Sequence, residues 1–195
     1  MISLNTCEGR LYLSSDTMCK SDSTTKLLQQ IHTPEFLNSI KCSGVPNHEL
    51  FLKVGTPIML LRNIDHANGL CNGTRLVVTK LGNHVLEAKI LMGDNAGEKV
   101  LIPRMTLTPA DPRLPFKFQR RQFPIIVSYA MTINKSQGQS LSHVGLILQK
   151  PVFTHGQLYV AISRVRSRSG LKILVCDNDS SRTTNVVYKE VFQNL

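Results

Sequence analysis

No stretch of this 195-residue chain approaches the roughly 18 consecutive apolar residues of a membrane span. Its first residues, Met1-Ile-Ser-Leu-Asn-Thr-Cys7, show no basic-then-apolar leader. Membrane insertion and secretion are therefore not expected. Cysteine is sparse and scattered. Cys7, Cys19, Cys42, Cys71 and Cys176 form no C-x-x-C pair, which removes the common zinc and dithiol spacings, and an odd number points to free thiols in a reducing compartment. The six histidines include no H-x-x-H or H-E-x-x-H spacing, so neither a zinc site nor a metalloprotease has support, and no metal ligand is expected. Acidic residues are also short, thirteen against twenty-three lysines and arginines. The resulting charge of +10 suits a polyanionic partner, nucleic acid first, or else marks a basic but inert surface.

What is present is enough for a core. At 42% hydrophobic residues, a chain of this length can form one ordinary domain or two small ones. Residues 10–16 alternate as a short strand, and residues 17–25 are polar and turn-like. Thr33-Pro-Glu-Phe-Leu-Asn-Ser-Ile40 carries a capping residue, a proline at the first helical position and apolar residues at 36, 37 and 40, the signature of a short helix. Gly44, Pro46 and Asn47 stop it.

The texture then changes. Residues 57–61, 74–79, 85–91 and 99–106 are short β-branched or alternating runs, separated by Asn68-Gly69, Asn72-Gly73, Gly82-Asn83 and Gly93-Asp94-Asn95. That spacing predicts strands of a small antiparallel barrel, an inserted β module. Residues 109–124 follow, with four prolines and with Phe116, Phe118 and Phe123 interleaved among Lys117, Arg120 and Arg121. Two readings stand: an arm that stacks bases on its aromatics, or phenylalanines packed inward beneath a solvated arginine face.

Residues 125–131 read as a buried strand or a helix start that empties into Thr132, Asn134, Lys135, Ser136 and Gln137. Such an outlet at the edge of an α/β layer is a ligand-binding position; a solvated turn capped by Gly138 is the alternative. Val144-Gly-Leu-Ile-Leu148 suits a strand covered on both faces. Over residues 155–166, Leu158, Ala161, Ile162 and Val165 fall at helical spacing, and Arg164 would point roughly 110° from that stripe, within reach of a ligand. Gly170 ends the helix, residues 171–175 form another buried strand, and residues 185–193 close as a short amphipathic helix. Strand, helix, strand is the pattern of a parallel sheet.

Ala130-Met-Thr-Ile-Asn-Lys-Ser-Gln-Gly138, followed by Leu158-Tyr-Val-Ala-Ile-Ser-Arg-Val-Arg166, resembles motifs V and VI of superfamily-one helicases. With Leu52-Lys-Val-Gly-Thr-Pro-Ile-Met-Leu-Leu-Arg-Asn63 and Gly69-Leu-Cys-Asn-Gly-Thr-Arg75, the chain is similar to the petite-integration-frequency (PIF) helicases, especially their plant and Helitron-transposon branches. The resemblance implies an α/β fold: a RecA-like second motor domain with a parallel sheet, formed by residues 1–50 and 123–195, interrupted by a small Src-homology-three-like β-barrel at 51–122. It implies the C-terminal half of an ATP-dependent 5′-to-3′ DNA helicase, with family roles in DNA repair, recombination and telomere maintenance.

Carried over residue by residue, Thr132, Asn134, Lys135 and Ser136 would contact single-stranded DNA, Gln137 and Gly138 would couple that contact to ATP, and Arg164 would be the catalytic arginine finger. Many relatives carry histidine where Asn134 stands, which removes any role needing an imidazole. The resemblance also implies ATP and Mg2+ as cofactors, a first motor domain as partner in trans, and work on nuclear or mitochondrial DNA, with the nucleus expected. No G-x-x-x-x-G-K-[ST] occurs in the sequence, so the chain alone is not expected to hydrolyse ATP. Three readings follow: a split, truncated or transposon-derived half that acts beside a first motor domain, a stand-alone DNA-binding or interaction module, and an inactive remnant.

Overall fold

The computed structural model describes residues 6–19, 33–112, 114–176 and 182–192. Contacts gather the chain into two compact units, Met1–Tyr129 and Ala130–Leu195.

The first unit is built almost wholly of antiparallel strands. The expected strand over residues 10–16 divides at Ser14 into β1 (Gly9–Leu13) and β2 (Ser15–Met18). The remainder of the expected polar turn, residues 20–25, lies outside the described residues. The short helix α1 (Pro34–Ser39) forms where its caps predict: the Thr33 hydroxyl accepts the Phe36 N–H at 3.3 Å, Pro34 opens the first turn and Glu35 follows. Leu37 is its buried anchor.

After α1 come β3 (Glu49–Lys53), β4 (Pro57–Leu60), β5 (Arg75–Leu81), β6 (Val85–Ile90), β7 (Lys99–Pro103), β8 (Met105–Leu107), β9 (Phe118–Gln122) and β10 (Ile125–Val127). Strands form in all four runs expected between residues 57 and 106, but the last run divides at Arg104 into β7 and β8, which join different sheets. The strands of this unit form a sheet in the order β10-β4-β5-β6-β7, beside a β1-β3 pair and a β2-β9-β8 sheet. Alternate residues Leu76 and Val78 of β5, and Leu86, Ala88 and Ile90 of β6, turn to one side. With Tyr12, Leu52, Ile58, Leu60, Ile102, Phe123 and Ile125 they make the core.

No closed barrel forms among the described residues, contrary to expectation. The strands change sheet instead of closing on themselves. Pro103 ends β7 before the chain enters β8, and Pro124 separates β9 from β10; proline lacks the N–H a continuous ladder needs. Edge strands β7 and β10 stay unpaired with one another.

Residues 109–124 correct a second expectation. Phe118 and Phe123 are fully buried and Arg121 is exposed, but Arg120 lies inside with them. The alternation of β9 turns Phe118, Arg120 and Gln122 inward and Gln119 and Arg121 outward. Gln122 earns its buried place by donating to the carbonyls of Tyr12 and His48 and accepting the Phe123 N–H.

In the second unit, β11 (Val144–Leu148) pairs in parallel with β12 (Leu171–Val175), and the chain crosses between them through α2 (Gln157–Ile162). This is the expected strand-helix-strand arrangement, with a core of Leu146, Leu148, Val152 and Ala161. Its details differ from expectation in three ways. Only one face of the strand pair is covered, since Ile147 and Leu174, opposite each other in register, are 58% and 57% exposed. The helix expected over 155–166 stops at Ile162, where the Ser163 N–H caps back to the Tyr159 carbonyl. The closing helix is a single 3-10 turn, Lys189–Phe192, with Gln193 outside the described residues. Just before it, the Tyr188 N–H donates to His155 Nδ1 at 3.0 Å and the two rings stack.

Candidate functional site

The residues singled out as a polar outlet lie in the second unit, on a compact loop leading to β11. The loop winds into a 3-10 turn at Asn134–Ser136, held by the Ser136 N–H on the carbonyls of Thr132 and Ile133 at 3.3 and 3.0 Å. Lys135 donates its N–H to the Thr132 hydroxyl at 3.4 Å. The half-buried Ile133 packs against the core of this unit, which seats the turn on an apolar base. Thr132, Asn134 and Lys135 are exposed together on its outer side. They present a hydroxyl, an amide and an ammonium group, a donor set that suits phosphate oxygens.

Ser136 stands apart. Its side chain is buried, and its hydroxyl donates to the Ile133 carbonyl at 2.6 Å. Gln137 and Gly138 are exposed at the end of the turn, and Gly138 takes φ +79, a left-handed conformation that glycine adopts without strain.

Arg164 was expected on the flank of a helix. It lies instead one residue beyond the Ser163 cap, in a turn, and Val165 after it forms a parallel bridge with Leu141. The Leu141 N–H donates to the Arg164 carbonyl at 2.8 Å, and the Arg166 N–H returns to the Leu141 carbonyl at 3.1 Å. The half-buried guanidinium is engaged at each nitrogen: Nε donates to the Val160 carbonyl at 2.9 Å, Nη1 to the Gln139 carbonyl at 3.3 Å and Nη2 to the Ser163 hydroxyl at 2.8 Å. The loop and Arg164 are thus brought together by short backbone links, and α2 packs against the 134–136 turn.

Gln139 joins the two and was given no role by sequence reasoning. Its carbonyl receives Arg164, its Nε2 reaches the Lys135 carbonyl at 3.4 Å, and its buried Oε1 has no partner among the described residues. A glutamine one residue past a glycine carries no signal of that kind in the sequence.

Nucleotide and metal make different demands on these residues. Arg164 fits a phosphate oxygen if its guanidinium leaves the Val160 and Gln139 carbonyls. Magnesium finds no carboxylate beside them, since residues 130–176 contain no Asp or Glu, and among the described residues no group of three His, Cys, Asp or Glu side chains could hold an ion.

Comparison with known proteins supports the Pif1 helicase family. The family model for the 2B domain of DNA helicase Pif1 matches residues 35–81, from α1 to the end of β5. The human ATP-dependent DNA helicase PIF1 is 35% identical over 147 residues, which is 74% of this chain and 22% of that protein. The chain therefore spans about a fifth of the length of this curated relative. Among solved structures, the Pif1 helicase from Candida albicans superposes with a TM-score of 0.69 at 25% identity, covering 99% of this chain and 44% of that one. Pif1 from Bacteroides in complex with ADP-AlF3 and single-stranded DNA gives 0.63 at 25% identity, with 95% and 38% covered. The plant and Helitron branch is a finer placement than these matches reach.

Proposed function

We propose that this chain contributes the second motor part of an ATP-dependent 5′-to-3′ DNA helicase, of the plant and Helitron-like branch. In this reading residues 1–50 and 123–195 belong to a RecA-like domain and residues 51–122 to a module inserted in it. Thr132, Asn134 and Lys135 contact single-stranded DNA through its phosphates, Ser136 shapes the turn that presents them, and Gln137 and Gly138 pass the contact on to the nucleotide side. Arg164 is the arginine finger, a fixed positive charge for the γ-phosphate.

One observation carries the proposal: the exposed donor loop and Arg164 are tied together through the Gln139 carbonyl and the Leu141–Val165 bridge. A phosphate drawn to either end therefore pulls on the other. ATP supplies the γ-phosphoryl group whose hydrolysis drives such motors; its phosphate cradle and magnesium ligands would come from a first motor domain in trans. Repair, recombination and telomere roles, and a nuclear address, are proposed with the family. A second reading, a single-stranded DNA-binding module that works without hydrolysis, is favoured by the engagement of all three Arg164 guanidinium nitrogens within its own chain.

DNA-stimulated ATP hydrolysis, measured with and without a separately produced Pif1-type first motor domain, decides between the two. Turnover that appears only with the added domain and disappears in Arg164→Ala supports the helicase half. DNA binding with no turnover in either mixture supports the module.

A further inference from the structure

The segment that leaves α2 repeats arginine at alternate positions, Arg164, Arg166 and Arg168, with Ser167 and Ser169 interleaved. The helicase reading uses only the first. Arg166, Ser167, Arg168 and Ser169 are all exposed. Ser167 has extended backbone, φ −143 and ψ 152, and lies in the bend between the Val165 bridge and the turn that follows. The side-chain hydrogen bond of its hydroxyl is to the neighbouring Ser169 hydroxyl at 3.0 Å. Ser169 is exposed too, but its backbone is not extended. It sits within the 3-10 turn Arg168–Gly170, and Gly170 is buried so closely that an added Cβ would meet the Ser142 carbonyl oxygen at 2.0 Å.

We propose that Ser167 is a phosphorylation site for an arginine-directed protein kinase. Such an enzyme must take an extended substrate with a free hydroxyl, and carboxylates in its cleft pair with guanidinium groups beside the acceptor. Ser167 is extended and exposed, its hydroxyl is bonded to the exposed Ser169 hydroxyl, a partner the kinase displaces, and an exposed arginine stands on each side. In the transfer, Ser167 Oγ attacks the γ-phosphorus of ATP bound to the kinase. A new P–O bond forms, the bond from that phosphorus to the β,γ-bridging oxygen breaks, ADP leaves with the electron pair, and the hydroxyl proton passes to the kinase base.

The product carries roughly 1.5 to 2 negative charges at neutral pH, placed among three arginines. It offers the guanidinium groups of Arg166 and Arg168 an acceptor inside the chain, and draws on Arg164 three residues away. Under the proposed function, phosphorylation therefore weakens the hold on DNA. That consequence rests on the reading above; the modification itself does not.

The test incubates the purified chain with an arginine-serine-directed kinase and Mg-ATP, then maps phosphate by mass spectrometry. Phosphate at Ser167, lost in Ser167→Ala and reduced in Arg166→Ala, is expected. Phosphate confined to Ser169 or to other serines, or none on the folded chain, overturns the proposal. Binding of the modified chain to oligothymidine should show a salt slope smaller by roughly one to two than that of the unmodified chain. If the unmodified chain binds no DNA, the helicase reading fails while the mapped site stands.

Discussion

The Arg120 guanidinium grips the carboxylate of Asp16 inside the first unit, with Nε at 3.0 Å from both oxygens and Nη2 at 2.7 Å from Oδ2. Its other donors are used as well. Nη1 serves the carbonyls of Ile40 and Pro46, and Nη2 also serves that of Leu37. All five N–H groups of the side chain have acceptors, which is what permits a charge to stay out of water. The pair ties β2 and β9 to the end of α1 and the loop after it. The Ser14 hydroxyl donates to Asp16 Oδ1 at 2.7 Å and lies 2.8 Å from His48 Nδ1, so the cluster extends toward β3.

Removing one partner of this pair leaves the other charge buried and uncompensated. Arg120→Met and Asp16→Leu should each destabilise the chain by about 3–5 kcal/mol. Arg120→Lys should also be costly, because three ammonium donors cannot replace a five-donor fork. Urea unfolding of the variants checks this; a loss below about 1 kcal/mol would place the pair among weak surface bridges.

Asp65 gives the β4–β5 loop a dependence on acid. Its carboxylate accepts from the Asn68 side-chain amide at 2.6 Å and from the N–H groups of Asn68 and Ala67, and these bonds hold its pKa below the ordinary carboxylate value. Because the folded pKa is the lower one, the stabilisation is complete above the unfolded value of about 3.9 and is lost as pH falls through the folded pKa. Titration of the Asp65 carboxyl by NMR should give a midpoint below about 3.9, moving upward in Asn68→Ala; a midpoint at or above it would remove the claim.

Gly170 is required by close packing. In Gly170→Ala the added Cβ would meet backbone, the Ser142 carbonyl, with Val165 Cγ2 at 3.0 Å behind it. A destabilisation of about 2–3 kcal/mol is expected, within the range for overpacking. By contrast Gly138→Ala meets no atom within 4 Å, and only its left-handed backbone, at about 1 kcal/mol, opposes it. Thermal unfolding of the two variants should rank them in that order.

The isolated chain should not hydrolyse ATP, with or without single-stranded DNA. Phosphate release by the purified protein that vanished in Arg164→Ala would overturn this, since it would show a complete catalytic centre within these residues.

Much of the fold was legible because its signals are local. The strands between residues 57 and 106 were marked by β-branched runs and Asn-Gly turns, and α1 by Thr33, Pro34 and Glu35. Arg120 was not legible. Phe-Gln-Arg-Arg-Gln puts polar residues on both faces of a strand, and the carboxylate that decides which arginine is buried lies 104 residues away. The length of α2 was misjudged because the helical stripe runs on through Val165, which lies past the helix in a bridge to Leu141. In the candidate site, Thr132, Asn134 and Lys135 are expected from their place after an apolar run, and all three are exposed. The inward turn of Ser136 and the linking part of Gln139 depend on backbone carbonyls, which leave no mark on residue type.

The proposed function stands or falls most directly on the salt dependence of single-stranded DNA binding by the chain and by Lys135→Ala. Affinity for oligothymidine should fall steeply as salt rises, and the substitution should weaken binding and lower the slope by roughly one, the signature of a lost phosphate contact. Absence of binding at low salt, or a Lys135→Ala titration that superimposes on that of the unchanged chain, would show that the loop around Thr132 and Lys135 does not hold DNA.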